Sequence, residues 1–183
     1  MKLALTVLLM SLAACTAEAS GIFGIGAHVA SLSSSDAAEN KVLAGGHIRL
    51  RLGSCMGIEA SVDYWENTFE QGSPAQKATV KSLPVLLSLT TDIIPQSPVS
   101  PYVLGGGGWY FNRIEMKTEY VTINEDDVRF GYHLGGGILV KATDRLTIHG
   151  DYRYTNVDIK VEDLDVDFNA NGHMITGGVT FYF

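Results

Sequence analysis

Cysteine and basic residues are both scarce in this 183-residue sequence, and each scarcity excludes a class of protein. The two cysteines, Cys15 and Cys55, are too few for a disulfide-rich scaffold and stand in no zinc-binding or redox motif. Lys and Arg number 13 against 20 Asp and Glu, for a formal net charge of -7. Because nucleic-acid binding needs clustered Lys and Arg to displace counterions from phosphates, we expect no nucleic-acid partner.

Long apolar runs are also missing beyond the first twenty residues. None of the later runs reaches the roughly 20 residues that a membrane-spanning helix requires. A transmembrane β-barrel is apolar only at every second residue and gives a weak hydropathy signal. Hydropathy alone therefore leaves a soluble protein and a membrane barrel both open.

The first segment has the features of an export signal. Lys2 is followed by the apolar stretch Leu3–Ala14, and Ala17–Ala19 has the small-x-small form of a signal-peptidase site. These features predict a signal peptide over residues 1–19. The alternative is lipidation, because Leu12–Cys15 resembles the lipobox at which bacterial lipoproteins are cut before the cysteine.

The remainder, residues 20–183, is predicted to be one all-β domain. Apolar and polar residues alternate with the period of two that places successive side chains on opposite faces of a strand. Leu146–Tyr154 has one apolar and one polar face, and Ala44–Leu52, Met56–Tyr64 and the segment that ends at Phe183 repeat this pattern.

The connections between these segments alternate in length. Short joins are predicted at Gly53–Cys55, Asp92–Pro101 and Ala142–Asp144, and long polar joins at Ser31–Lys41, Asn67–Gln76, Glu115–Asp127 and Asp158–Asn169. Short turns at one end, long loops at the other and aromatic residues near strand ends are typical of outer-membrane barrels. The sequence therefore predicts an eight-stranded antiparallel up-and-down transmembrane β-barrel with both termini in the periplasm.

The polar faces of neighbouring strands carry both signs of charge, which predicts ion pairs inside a narrow lumen. The predicted lumen polar network consists of Arg49, Arg51, Glu59, Asp63, His149, Asp151 and Arg153. In a soluble barrel the same faces would meet water instead, because alternation by itself does not say which face is inside.

The last hairpin contains a change of phase. Its apolar residues occupy even positions up to Tyr154 and odd positions from Val157, and the returning strand makes the reverse change before Ile175. If the strands continue without a bulge, six residues form an apolar mouth above the polar lumen: Val157, Ile159, Val161, Leu164, Val166 and Phe168. The alternative is a pair of bulges that restores the phase.

Catalytic and metal-binding patterns are weak. None of the five histidines stands in the closely spaced His-x-Ser arrangement expected of an outer-membrane lipid A deacylase. We therefore predict that the protein is not an enzyme. In the alternative of a lipid-modifying enzyme, His149 or His133 would be the catalytic base. Asp167–Gly172 opens like a calcium loop, but Gly178 stands where the bidentate Glu belongs. No metal or other cofactor is predicted.

The chain resembles the small outer-membrane β-barrel families of the OmpA-barrel and OmpW type. The resemblance is carried by LPVLLSLTTD (Leu83–Asp92), PYVLGGGGWYF (Pro101–Phe111), LTIHGDYRY (Leu146–Tyr154) and the closing VTFYF. It implies the outer membrane of a Gram-negative bacterium. It also implies that Val179, Phe181 and Phe183 form the signal read by the outer-membrane assembly machinery.

The expected function is that of an integral outer-membrane protein with a structural or surface role, in contact with outer-membrane lipids and lipopolysaccharide. A narrow path for small hydrophobic molecules is a further expectation, which follows from the apolar mouth. Two alternatives stay open, namely an outer-leaflet lipid-modifying enzyme and a surface adhesin that acts through its acidic loops.

Overall fold

The computed structural model describes residues 21–34, 41–71, 76–117, 122–161, 166–169 and 172–183. Nine strands lie in these ranges: β1 (Phe23–Ser34), β2 (Lys41–Leu52), β3 (Met56–Gln71), β4 (Gln76–Asp92), β5 (Val99–Lys117), β6 (Thr122–Lys141), β7 (Leu146–Val161), β8 (Val166–Asn169) and β9 (Gly172–Tyr182). In the described part of the chain, no helix has the length and hydrophobicity that a membrane span requires.

The strands form one closed antiparallel barrel. Each of β1 to β7 pairs with the next along the chain, and β9 pairs with both β7 and β1. β8 and β9 pair with β7 in one continuous register. Asp158 of β7 pairs with Asn169 of β8, and Thr155, three residues earlier on β7, pairs with Gly172 at the start of β9. β8 and β9 therefore occupy one position, and the predicted eight-stranded up-and-down barrel is confirmed.

Turns 53–55, 93–98 and 142–145 lie at one end of the barrel, together with the start of β1 and the end of β9. We call this the turn end and the opposite one the loop end. At the loop end the strands run further than the sequence predicted. Residues 67–71 and 122–127, predicted as polar loops, are paired strand, because backbone hydrogen bonds between strands do not depend on side-chain polarity.

The apolar face of the strands is on the outside. Large exposed aliphatic side chains surround the barrel, among them Ile25, Ile48, Leu50, Leu87, Leu89, Val103, Leu134, Ile138, Ile148 and Val179. A continuous apolar belt of this kind is stable against lipid and unfavourable in water. The structure thereby removes the ambiguity of the alternation, since the polar faces point into the lumen.

Aromatic side chains border this belt at both ends. Towards the loop end, the exposed rings of Trp109 and Phe130 pack edge to face with centroids 5.5 Å apart. At the turn end, Phe183 packs against Phe181 at 5.3 Å and against Phe23 at 6.2 Å. The two groups occupy the positions of the interfacial girdles of a membrane barrel.

Candidate functional site

The centre of the lumen holds a charged network that is almost fully buried. Arg49 Nε donates to Glu59 Oε2 at 3.0 Å, and Arg153 Nη2 donates to Glu59 Oε1 at 3.2 Å. Arg153 Nε also donates to Asp151 Oδ1 at 2.5 Å, and the Tyr102 hydroxyl donates to Asp151 Oδ2 at 2.7 Å. Glu59 is thus shared by two arginines. Paired charges cross-link β2, β3 and β7, as buried ions require, and the Tyr102 hydroxyl joins β5 to them.

A second set of hydrogen bonds runs through two histidines. His47 Nε2 lies 2.8 Å from Thr180 Oγ1, the Nδ1 atoms of His47 and His28 lie 3.1 Å apart, and His28 Nε2 lies 2.6 Å from Asp63 Oδ1. One assignment of hydrogens satisfies all three contacts. The Thr180 hydroxyl donates to His47, His47 Nδ1–H donates to His28, and His28 Nε2–H donates to Asp63.

Glycines make these cross-links possible. Four pairs of hydrogen-bonded side chains each join two strands that are separated by a third strand. In each case the residue of the middle strand that pairs with both of them is glycine. The sets are Gly26 between Thr180 and His47, Gly45 between His28 and Asp63, Gly106 between Ser88 and His133, and Gly137 between Tyr102 and Asp151. Strands two apart are about 9.5 Å from each other in a flat sheet. Two side chains meet across that gap only where no third side chain intervenes.

Two clusters of buried apolar side chains pack against the polar network. Ala30, Leu43 and Met174 form a buried cluster towards the loop end, with Leu32 and Trp65 packed against it. A second cluster, formed by Tyr102, Leu104 and Leu139, borders the network, since the Tyr102 hydroxyl donates to Asp151. An eight-stranded barrel is just wide enough for its own side chains to fill it. The described side chains therefore occupy the lumen along its length.

The residues of the predicted lumen network occupy the inner face, with one difference in position. Six are buried: Arg49, Glu59, Asp63, His149, Asp151 and Arg153. Arg51 is only partly buried and lies at the turn end, where its guanidinium carbon is 3.5 Å from the centroid of the Tyr182 ring. Arg51 thus contributes a cation–π contact near the rim, apart from the central ion pairs.

Sequence reasoning missed several partners in the lumen. His28, Tyr102 and Ser88 are buried there, although each stands between apolar neighbours in the sequence. His47 shares its face with Arg49 and was recognisable from the period of two. His28 and Tyr102 were recognisable only from the strand pairings, because their own segments read as apolar.

The predicted apolar mouth is described only at its base. Val157 is buried, on the same face of β7 as Arg153 and Thr155. The unbroken register between β7, β8 and β9 contains no bulge at the paired positions. The side chains of Ile159, Val161, Leu164, Val166 and Phe168 lie outside the described residues, so the mouth as a whole stays a prediction.

The histidines considered as catalytic bases are inside the barrel. His133 Nε2 lies 2.8 Å from Ser88 Oγ, and both side chains are buried. The Nδ1 atoms of His133 and His149 have no hydrogen-bond partner among the described residues. A lipid in the surrounding leaflet would not reach them. Among the described residues, no group of three or more His, Cys, Asp or Glu is arranged to hold a metal ion.

The residues implied as an assembly signal lie on the outer face at the turn end. Val179, Phe181 and Phe183 are all exposed, and their alternate positions on and beyond β9 place them in one row. This row is accessible from outside the barrel.

Comparison with known proteins identifies the same architecture. A family model described as outer membrane protein beta-barrel domain matches residues 3–183. Neisserial surface protein A is 20% identical with a TM-score of 0.64, over 91% of this chain and 100% of that one. The attachment invasion locus protein Ail of Yersinia pestis, solved with the heparin analogue sucrose octasulfate, is 17% identical with a TM-score of 0.57, over 88% and 96%.

OprG from Pseudomonas aeruginosa is 16% identical with a TM-score of 0.55, over 91% of this chain and 97% of that one. At these identities the three structures show a shared fold and carry no information on ligand or activity. No curated protein matches this sequence.

Proposed function

Since this chain belongs to the outer membrane protein beta-barrel domain family, we propose that it is a closed, non-catalytic surface barrel with both termini in the periplasm, whose apolar mouth binds small hydrophobic molecules. The filled lumen is the observation that carries this proposal. The Arg49–Glu59–Arg153 network is buried, and two clusters of buried apolar side chains pack against it. Such a lumen supports a structural or surface role over that of a wide aqueous pore.

The orientation follows from the two ends of the barrel. Outer-membrane barrels have short turns in the periplasm and long loops outside. The three short turns share an end with Phe23 and Phe183, so we place both termini in the periplasm. The outer face then contacts membrane lipids, and the hairpin β7–β8 extends towards the lipopolysaccharide.

The mouth gives the barrel a place for an apolar ligand. Val157 and Met174 are buried on the neighbouring strands β7 and β9. The cluster of Ala30, Leu43 and Met174 forms the floor of the mouth. The charged network lies below this floor. A hydrophobic molecule would therefore bind at the mouth, and its passage further would require the ion pairs to separate.

Trp65 allows a direct test of the mouth. The chain has two tryptophans, and Trp65 packs against the floor cluster while Trp109 is exposed on the outer face. In a Trp109→Phe variant, we expect 1,4-dibromobenzene to quench Trp65 fluorescence in a saturable manner, and Val157→Asp to abolish the saturable part. The Trp65→Phe variant, which reports on the outer surface through Trp109, should show only linear quenching by probe dissolved in the detergent.

Linear quenching in both tryptophan variants would contradict the proposal that the mouth binds small hydrophobic molecules. Vesicles that contain the wild-type barrel should meanwhile show no ion conductance above that of protein-free vesicles. A steady aqueous conductance would contradict the closed lumen, independently of the result at the mouth.

We also propose that Phe183 is read by the assembly machinery. Deleting Phe183 should reduce the amount of folded barrel in the outer membrane severalfold in cells, while refolding in detergent micelles changes little because this ring is exposed. The matched control is Phe23→Ala, which removes a neighbouring ring 6.2 Å away. Equal losses in cells for both variants would show that the girdle, and not the C-terminal residue, is what matters. Heat-dependent gel mobility measures the folded fraction.

The two alternatives have less support. The Ser88–His133 pair is enclosed in the lumen, which disfavours a lipid-modifying enzyme that uses it. The structure of Ail contains a sulfated heparin analogue, but at 17% identity this likeness shows the fold alone. Adhesion through the acidic loops has no specific observation in its favour.

A further inference from the structure

His173 differs from the other histidines of the protein. His28, His47, His133 and His149 are buried in the lumen, whereas His173 is exposed on the outer face of β9. Its imidazole stacks on the Tyr152 ring with centroids 5.7 Å apart, and lies 5.4 Å from the centroid of Tyr154. Two tyrosine rings of β7 therefore hold one imidazole on the outer face of the barrel.

The hydrogen bonding of this imidazole leaves one donor available. The Tyr152 hydroxyl is bonded to His173 Nδ1. When the hydroxyl donates, the hydrogen of the neutral imidazole is on Nε2. Nε2 makes no hydrogen bond within the described ranges. Ser33 stands directly across the β1–β9 pairing from His173 and is also exposed, which adds a hydroxyl beside the ring.

The height of His173 places it at a lipid headgroup. Phe183 lies in the turn-end girdle, about ten residues further along the same strand. At about 3.3 Å per residue and a tilt of about 40°, this separation corresponds to about 25 Å along the barrel axis. The apolar band of an outer-membrane barrel is also about 25 Å tall. His173 therefore lies where the apolar band meets the headgroups of the outer leaflet.

We propose that His173, Tyr152, Tyr154 and Ser33 form a binding site for the phosphate group of an outer-leaflet lipid, which in this membrane is the phosphate of lipopolysaccharide. We call it the interface site. The Nε2–H group donates to a phosphate oxygen, the Ser33 hydroxyl supplies a second donor, and the tyrosine rings contact the adjoining sugar and acyl chain. Because the phosphate is charged, these are charge-assisted hydrogen bonds, which are stronger than neutral ones. This inference rests on the orientation given under the proposed function.

The test uses the full barrel refolded in detergent micelles with ¹⁵N-labelled histidine. Lipopolysaccharide should shift the ring ¹⁵N resonances of His173 and leave those of the buried histidines unchanged. Enzymatically dephosphorylated lipopolysaccharide should produce no such shift. His173→Gln should weaken lipopolysaccharide binding roughly tenfold, the effect of one charge-assisted hydrogen bond, and Tyr152→Phe should weaken it less.

Tyr64→Phe is the matched control, because Tyr64 is an exposed tyrosine whose hydroxyl donates to Glu66, away from the interface site. It should bind lipopolysaccharide as the wild type does. An equal shift with dephosphorylated lipopolysaccharide, an equal shift with inorganic phosphate alone, or unchanged binding by His173→Gln would each overturn the proposal. Heat-dependent gel mobility of every variant shows separately whether the barrel is folded, so loss of the site is distinguishable from failure of the barrel itself.

Discussion

Glu59→Gln should lower the free energy of unfolding by about 3–5 kcal/mol, the usual effect of removing one partner from a buried ion pair. Glu59 receives hydrogen bonds from both Arg49 and Arg153. Its side chain is 2% exposed, so water cannot replace the lost carboxylate. Glutamine keeps the volume but removes the carboxylate to which Arg49 is bonded and leaves Arg153 paired with Asp151 alone.

The measurement is urea unfolding of the barrel in lipid vesicles, followed by tryptophan fluorescence. Asp127→Asn is the matched control, because Arg129 Nε lies 2.9 Å from Asp127 Oδ2 with both side chains about a quarter to a third exposed. A solvated pair of this kind contributes no more than about 1 kcal/mol. If the two variants lose equal stability, the lumen network is hydrated and the barrel is more open than we propose.

Gly45→Ala should destabilise the barrel by about 3 kcal/mol, whereas Gly46→Ala, one residue further on the same strand, should be tolerated. A Cβ on Gly45 would lie 2.5 Å from Asp63 Oδ1, 2.6 Å from the Val62 carbonyl oxygen and 2.7 Å from His28 Nε2. A methyl group there would break the His28–Asp63 contact that crosses above the glycine. A Cβ on Gly46 points outwards and meets its nearest atom at 3.6 Å.

The two alanine variants have the same composition and the same change in strand propensity, so their difference isolates the inward contact. Both are compared by urea midpoint in vesicles and by the yield of heat-modifiable barrel on refolding. If Gly46→Ala proves as damaging as Gly45→Ala, the need for glycine comes from strand curvature and not from the cross-strand bridge.

The four bridging glycines show why the lumen could be predicted only in part. Arg49, Glu59 and Asp151 were predicted as lumen residues because they alternate with apolar neighbours, and alternation is a property of a single strand. A bridge such as Ser88–His133 involves β4, β5 and β6 at once. Its detection requires the register of two strand pairs, which no one segment contains.

The limits of the strands were predicted less well than their number, for a related reason. Polar stretches such as Asn67–Gln71 were assigned to loops because their side chains are hydrophilic. In the structure they continue β3 and pair with β4, since an antiparallel hairpin extends as long as backbone donors and acceptors remain opposite each other.

The sequence by itself determined the properties that depend on local period and local chemistry. These are the all-β class, the number of strands across the barrel, the residues that share a face, and the alternation of short turns with long connections. Alternation alone left open which face is inside, and the tertiary structure settled it. Only the tertiary structure decided which side chains meet across the lumen, and that Tyr152 and Tyr154 enclose His173 on the outer face. The physical reason is that a period of two is symmetric between the faces of a sheet, and barrel closure with a definite register removes that symmetry.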